Sequence, residues 1–188
     1  MKPGRVAGRP PLTPDQRGVA MGMASALLAA VAVFSLAAIL GGASSGFGSS
    51  LESRLEVLAA CLLAPAATLL FCIARLAKHR FFTPEDINGS ALTEGSMRAR
   101  LLQALLQNTL EQSALALPVY LLGALLLPGH LLGLVPAAAA MFLTGRALFY
   151  AGYAGGAASR ALGFALTFYP TVLLAVIAVG AWILRLAA

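Results

Sequence analysis

Residues 101–127 read LLQALLQNTLEQSALALPVYLLGALLL. The run is apolar except for a polar cluster in its first half. At about 1.5 Å of rise per residue it is long enough to cross a hydrocarbon core of about 30 Å as one helix. Arg100, Gln103, Gln107 and Glu111 are spaced 3, 4 and 4, so they share one helix face, with Asn108 and Gln112 on its flanks. An ionisable group this far into a span is costly and as a rule points into the bundle toward a partner. No cation lies near Glu111 on the same segment, so its partner is expected from another helix. Two readings stay open for the cluster. It is glue between helices, made of amides and a buried ion pair, or a ligand site that uses the same groups.

Working outward, four more stretches have the length and apolarity of a span: Gly18–Gly42, Val57–Ala74, Leu131–Tyr153 and Leu162–Leu184. Pro65, Pro118, Pro136 and Pro170 fall inside the spans, where neighbouring helices can re-satisfy the freed carbonyls. Of 188 residues, 60% are hydrophobic and only 11% charged, against about 25% charged in an average soluble domain. That balance excludes an ordinary soluble domain and a disordered chain. It predicts an all-α integral membrane protein with five spans, in contact with membrane lipids.

The net charge of +6 reads as orientation and not as nucleic-acid binding. Lys2, Arg5, Arg9 and Arg17 precede the first span. Arg75, Lys78, Arg80, Arg98 and Arg100 lie between the second and third. Arg146 and Arg160 sit around the end of the fourth. A cytoplasmic N-terminus puts these eleven of the 13 basic residues on one side, in a membrane of the bacterial inner-membrane kind. A basic start, an apolar run and the small residues Gly41–Ser45 also fit a secretory signal, but the run is about twice the usual length of a signal core. An uncleaved helix is the reading taken.

The expected organisation is a Pro-rich cytoplasmic tail (1–17), an N-terminal transmembrane helix (18–42), which the family resemblance given below makes an extra one, and a four-helix part (55–188) with a polar loop at 81–97. In that loop Thr83-Pro84-Glu85 can start a short helical turn.

The fourth span carries a second set. Arg146 and Tyr153 are seven apart and lie on nearly one face, flanked by Phe149 and Tyr150. Arg160 stays within about 40° of that face if the helix continues. Gly145, Gly152, Gly155 and Gly156 allow close backbone approach. Arg146 is the natural countercharge for Glu111. A rim of Arg100, Arg146, Arg160 and Arg75 suits an anionic ligand, because arginine forks grip carboxylates. The plainer reading is that these arginines mark the inner edge of the membrane. The sequence has no Cys or His cluster with metal spacing, no phosphate-binding loop and no Ser-His-Asp set. Cys61 and Cys72, eleven residues apart on one apolar run, are too distant to pair and read as packing residues. Few charges lie near the membrane centre and no paired broken helices appear, which disfavours a transporter.

Together, Gln107-Asn108-Thr109-Leu110-Glu111 and Gly145-Arg146-Ala147-Leu148-Phe149-Tyr150-Ala151-Gly152-Tyr153, followed by Arg160, resemble the MAPEG family, the membrane-associated proteins in eicosanoid and glutathione metabolism. The family's Asn-x-x-Glu falls on Asn108 and Glu111. Its Arg-x-x-aromatic-x-x-Gly-Tyr falls on Arg146, Phe149, Gly152 and Tyr153, and its later Arg on Arg160. Arg75 best matches an Arg near the end of the family's first helix. The resemblance implies a four-helix bundle per subunit, a homotrimer, and ligand sites between subunits near the cytoplasmic face. It implies a glutathione-dependent transferase or peroxidase acting on a lipophilic small molecule, with no metal. Asn108, Glu111, Arg146, Phe149, Tyr153, Arg75 and Arg100 are then the binding residues and Arg160 the thiol-activating one. A guanidinium beside a thiol favours the nucleophilic thiolate.

The chain departs from leukotriene C synthase-like members at three positions: Ala104 where they carry Arg, Gln112 where they carry Tyr, and Phe149 where they carry a phenol. Arg100, one turn from Ala104, is placed to substitute. These departures keep a second expectation open: a non-catalytic, lipid-binding or scaffold trimer of the same family.

Overall fold

The computed structural model describes residues 11–43, 50–89 and 94–187. The predicted tail up to Pro10 and part of the 81–97 loop lie outside them. Five helices follow one another: α1 (Pro14–Ala43), α2 (Leu51–Phe82), α3 (Met97–Leu126), α4 (Leu134–Gly152) and α5 (Ala157–Ala187). All five are long and apolar enough to cross a membrane.

α1, α2 and α3 start earlier than their apolar runs, because polar residues cap them. Thr13 and Gln16 form a reciprocal capping box across Pro14, Thr13 N–H to Gln16 Oε1 at 2.9 Å and Gln16 N–H to Thr13 Oγ1 at 3.3 Å. Ser50 caps α2 and Ser96 caps α3, each accepting a backbone N–H three residues on. Pro65, Pro118 and Pro170 are inside helices, whereas Pro136 sits in the first turn of α4, where no helical N–H is needed.

α2 packs along α3 and α4 along α5; α4 also meets α2, and α3 meets α5. The core centres on Phe34, Leu58, Tyr120, Val135, Phe142 and Leu174. On α3 the buried face runs Leu102, Leu105, Thr109, Gln112, Ala116 and Val119, a 3-4-3-4-3 spacing. Gln107 and Glu111 face the other way and are exposed. The predicted inward polar stripe is therefore turned outward in the single chain: the apolar positions of α3 claim the bundle side.

α4 and α5 lie in near-backbone contact. A Cβ on Gly145 would meet Gly163 O at 2.8 Å, and one on Gly163 would run into the Phe149 backbone. α4 does not continue into Arg160. The chain turns at Tyr153–Gly155, and Gly156, at φ 92°, takes a conformation that a side chain disfavours. Arg160 thus belongs to the first turn of α5.

At the far end, both basic residues outside the main cluster cap α3. Arg54 Nη1 donates to Ala124 O and Leu127 O, each at 2.8 Å, and Arg185 Nη2 to Leu126 O at 3.0 Å.

The α2–α3 connection is held by Asp86, which is 2% exposed. Its Oδ1 accepts Ser96 N–H at 2.7 Å, and its Oδ2 bonds Ser96 Oγ at 2.6 Å and His79 Nε2 at 2.9 Å. The predicted turn is present at Pro84–Asp86. The Ser96 hydrogen bonds, with the His79 contact behind them, hold the Asp86 carboxyl below the usual carboxylate range. A lowered folded-state pKa adds stability above the unfolded value, near pH 4, and loses it as pH falls further. Asp86→Asn should lower the thermal midpoint at pH 7 and flatten its fall between about pH 5 and 3. Circular dichroism melts of both proteins in nanodiscs check this; parallel pH curves contradict it.

Candidate ligand site

Arg146 is fully buried. Its Nε donates to Thr167 Oγ1 at 3.0 Å and its Nη1 to Asn108 Oδ1 at 2.8 Å. Its guanidinium lies 4.4 Å from the Phe149 ring centroid. Nη2 has no hydrogen-bond partner among the described residues. Close α4–α5 packing at Gly145 and Gly163 makes the Thr167 contact possible; Thr167 in turn donates to Gly163 O at 3.0 Å.

The expected Arg146–Glu111 ion pair is absent. Glu111 Oε1 instead accepts from Gln107 Nε2 of its own helix, at 3.0 Å. The reason is rotation: Asn108 turns toward α4, while Glu111, three residues on, turns out.

From Arg146 an aromatic stack leads outward. Phe149 meets Tyr153 edge to face at 5.2 Å between centroids, and the Arg160 guanidinium sits 4.6 Å over the Tyr153 ring. The reversal at Gly156 folds Arg160 back onto Tyr153, so the predicted association survives although the predicted continuous helix does not. Arg160 makes no hydrogen bond or ion pair among the described residues, leaving its donors available. Beside it opens a crevice of about 390 Å³ lined by Asn108, Phe149, Tyr153, Arg160, Ala161 and Phe164, and closed on one side by Val19 and Met23 of α1.

Two predicted residues lie elsewhere. Arg100 lines a crevice of about 330 Å³ with Arg80, Gln103, Ala104 and Gln107, on the outward side of α3. Arg80 Nη2 donates to Gln103 Oε1 at 3.1 Å. Arg75 lies 5.5 Å over the Phe71 ring and borders a smaller crevice of about 190 Å³ with Cys72 and Tyr150. Cys61 and Cys72 are both buried and unpaired. Cys72 also touches the hydroxyls of Thr109 and Tyr150.

The single chain therefore groups Asn108, Arg146, Phe149, Tyr153 and Arg160, and leaves Arg100 with Glu111 on another face and Arg75 on a third. The sequence reading missed Thr167, Val19 and Met23. Thr167 had a signal, a hydroxyl four residues after a glycine in an apolar span. α1 had one too, in the repeat Gly18, Gly22, Ala26, Ala30.

If Asn108 and not Glu111 is the partner of Arg146, a double-mutant cycle should separate them. Arg146→Met with Asn108→Leu should couple by about 2 kcal/mol. Arg146→Met with Glu111→Gln should couple by less than about 0.5 kcal/mol. Reversible unfolding in mixed micelles gives both energies, and a larger Glu111 coupling overturns the assignment.

Among comparisons with known proteins, no curated protein and no solved structure matches the chain. The model of the MAPEG family matches residues 57–180, from α2 through most of α5 and excluding α1. That match covers most of the chain and supports a glutathione-related or eicosanoid-metabolism role in general. The chain is an integral membrane protein of the MAPEG family.

Proposed function

We propose that the protein is a membrane-embedded, glutathione-dependent transferase or peroxidase for lipophilic electrophiles or lipid hydroperoxides. One observation carries the reading: an Arg160 guanidinium with available donors stands at the mouth of an apolar crevice lined by Asn108, Phe149 and Tyr153. Arg160 is the catalytic residue, stabilising the glutathione thiolate by its charge. The thiolate sulfur attacks an electrophilic carbon of the co-substrate. For an unsaturated carbonyl the S–C bond forms, the π pair moves toward the carbonyl, and the thiol proton ends on the α-carbon. For a hydroperoxide the sulfur attacks the terminal oxygen, the O–O bond breaks, and the alkoxide leaves with the thiol proton as the alcohol, giving the sulfenic acid of glutathione. A second glutathione then releases water and disulfide.

Arg146 has no exposed surface. Its part is positioning: it holds Asn108 and Phe149 in the wall of the Arg160 crevice. Gln107 and Glu111 are exposed about 15 Å and about 21 Å along α3 from its start, and at that depth a carboxylate facing lipid costs a few kcal/mol. That supports a second copy covering this face. In the homotrimer implied by the family, Arg100, Glu111 and Arg75 complete sites shared between subunits, and the basic end faces the cytoplasm.

A second reading is favoured by a specific observation. Arg146 is engaged within the chain and Ala104 leaves the outer crevice without one cation. A trimer that binds lipid without catalysis follows from that.

Glutathione titrated into protein in nanodiscs should give a saturable ultraviolet thiolate absorbance. Arg160→Ala should abolish it and Arg160→Lys restore part of it, with helicity and oligomer size unchanged. A signal retained in Arg160→Ala sinks the thiol assignment. No signal in the wild type, with a specific lipid co-purifying by mass spectrometry, selects the second reading.

A further inference from the structure

The helix that lies outside the family match supplies one wall of the Arg160 crevice. α1 rests on α5 along Gly18, Gly22, Ala26 and Ala30, every fourth residue, with Phe34 continuing the stripe. A Cβ on Gly18 would stand 2.7 Å from Ala158 Cβ, and one on Gly22 would stand 3.0 Å from Leu162 N. At the other end Gly41 lies against the His130 carbonyl. The helix is thus seated along its whole length, and its seating at Gly18 and Gly22 places the side chains beside them. Val19 is half-buried in the crevice wall, and Met23 stands at its lip, 41% exposed. Opposite them are Phe149 and Phe164, with the Arg160 guanidinium at the polar edge.

The crevice therefore has a cation at one edge and apolar walls from α1, α4 and α5. Its volume of about 390 Å³ is that of a small-ligand pocket. Removing α1 would leave Phe164 and Ala161 open to lipid and the crevice without a boundary on that side.

We propose that α1 is the specificity wall of this site: Val19 and Met23 contact the apolar body of the lipophilic ligand and set how large it can be, while its polar end meets Arg160. The inference deepens the glutathione reading and rests on it for the reaction, but not for the binding. A flexible thioether at the lip suits apolar ligands of varied shape. A rigid indole at the same place narrows the entry.

Two measurements test it, on wild type, Met23→Trp and the control Leu28→Trp. Leu28 is 72% exposed on α1 and does not line the crevice. First, cis-parinaric acid binding is read by fluorescence in nanodiscs without thiol. Met23→Trp should weaken binding about tenfold and Leu28→Trp should leave it within about twofold. Second, kcat/KM with glutathione is measured from hexenal to tetradecenal. Met23→Trp should lower the long aldehydes about tenfold more than hexenal, with the KM for glutathione unchanged.

Equal parinaric acid binding by all three proteins, or no saturable binding by the wild type, overturns the wall. So does a Met23→Trp effect that is uniform along the aldehyde series. Absence of turnover in the wild type, with the parinaric acid difference intact, sinks the glutathione reading and leaves the wall standing.

Discussion

A guanidinium sealed inside a helical bundle dictates much of this structure. Arg146 is fully buried and, among the described residues, has no carboxylate beside it. A charge in that position needs polar partners and a polarisable neighbour, because unpaired burial is costly. The bundle supplies both. Asn108 comes from α3, Thr167 from α5 and the Phe149 ring from the next turn of α4. Each partner fixes the rotation of its helix. Asn108 facing inward forces Gln107 and Glu111 outward. Thr167 within reach requires glycine at 145 and 163. The stack from Phe149 through Tyr153 then fixes where Arg160 stands.

The consequence for function is a division of labour between two arginines in one motif. The buried one organises the site, and the half-exposed one faces the crevice. It also separates polar surface from apolar surface. The outward face of α3 carries Arg100, Gln103, Gln107 and Glu111, suited to a charged peptide. The crevice beneath α1 is apolar except at Arg160, suited to a lipophilic partner.

Much of this was legible in the sequence. The five spans followed from apolar length, and the two motifs gave the family and five residues that the fold does bring together. Three things were not legible, for physical reasons. Helix rotation was hidden on α3: the polar face was plain, but which face the bundle buries depends on Leu102, Leu105 and Ala116 finding partners on other helices. The end of α4 was hidden because Tyr153 is helical in pattern and only Gly155-Gly156 reverses the chain. The anchor at His79, Asp86 and Ser96 pairs residues across a loop, and no local periodicity reports such a pairing. The role of α1 was half visible. Its span was clear, while its every-fourth small residues, which seat it on α5, were not read as a contact surface.

In the proposed trimer, glutathione lies between Arg160 of one copy and the outward polar face of α3 of another. A structure determined in lipidic cubic phase with glutathione present tests it most directly. The account predicts peptide density between copies, with the sulfur at the Arg160 guanidinium and a carboxylate among the arginines at the basic end. Density confined within one chain, or a monomer with Glu111 facing lipid and no bound peptide, would contradict it.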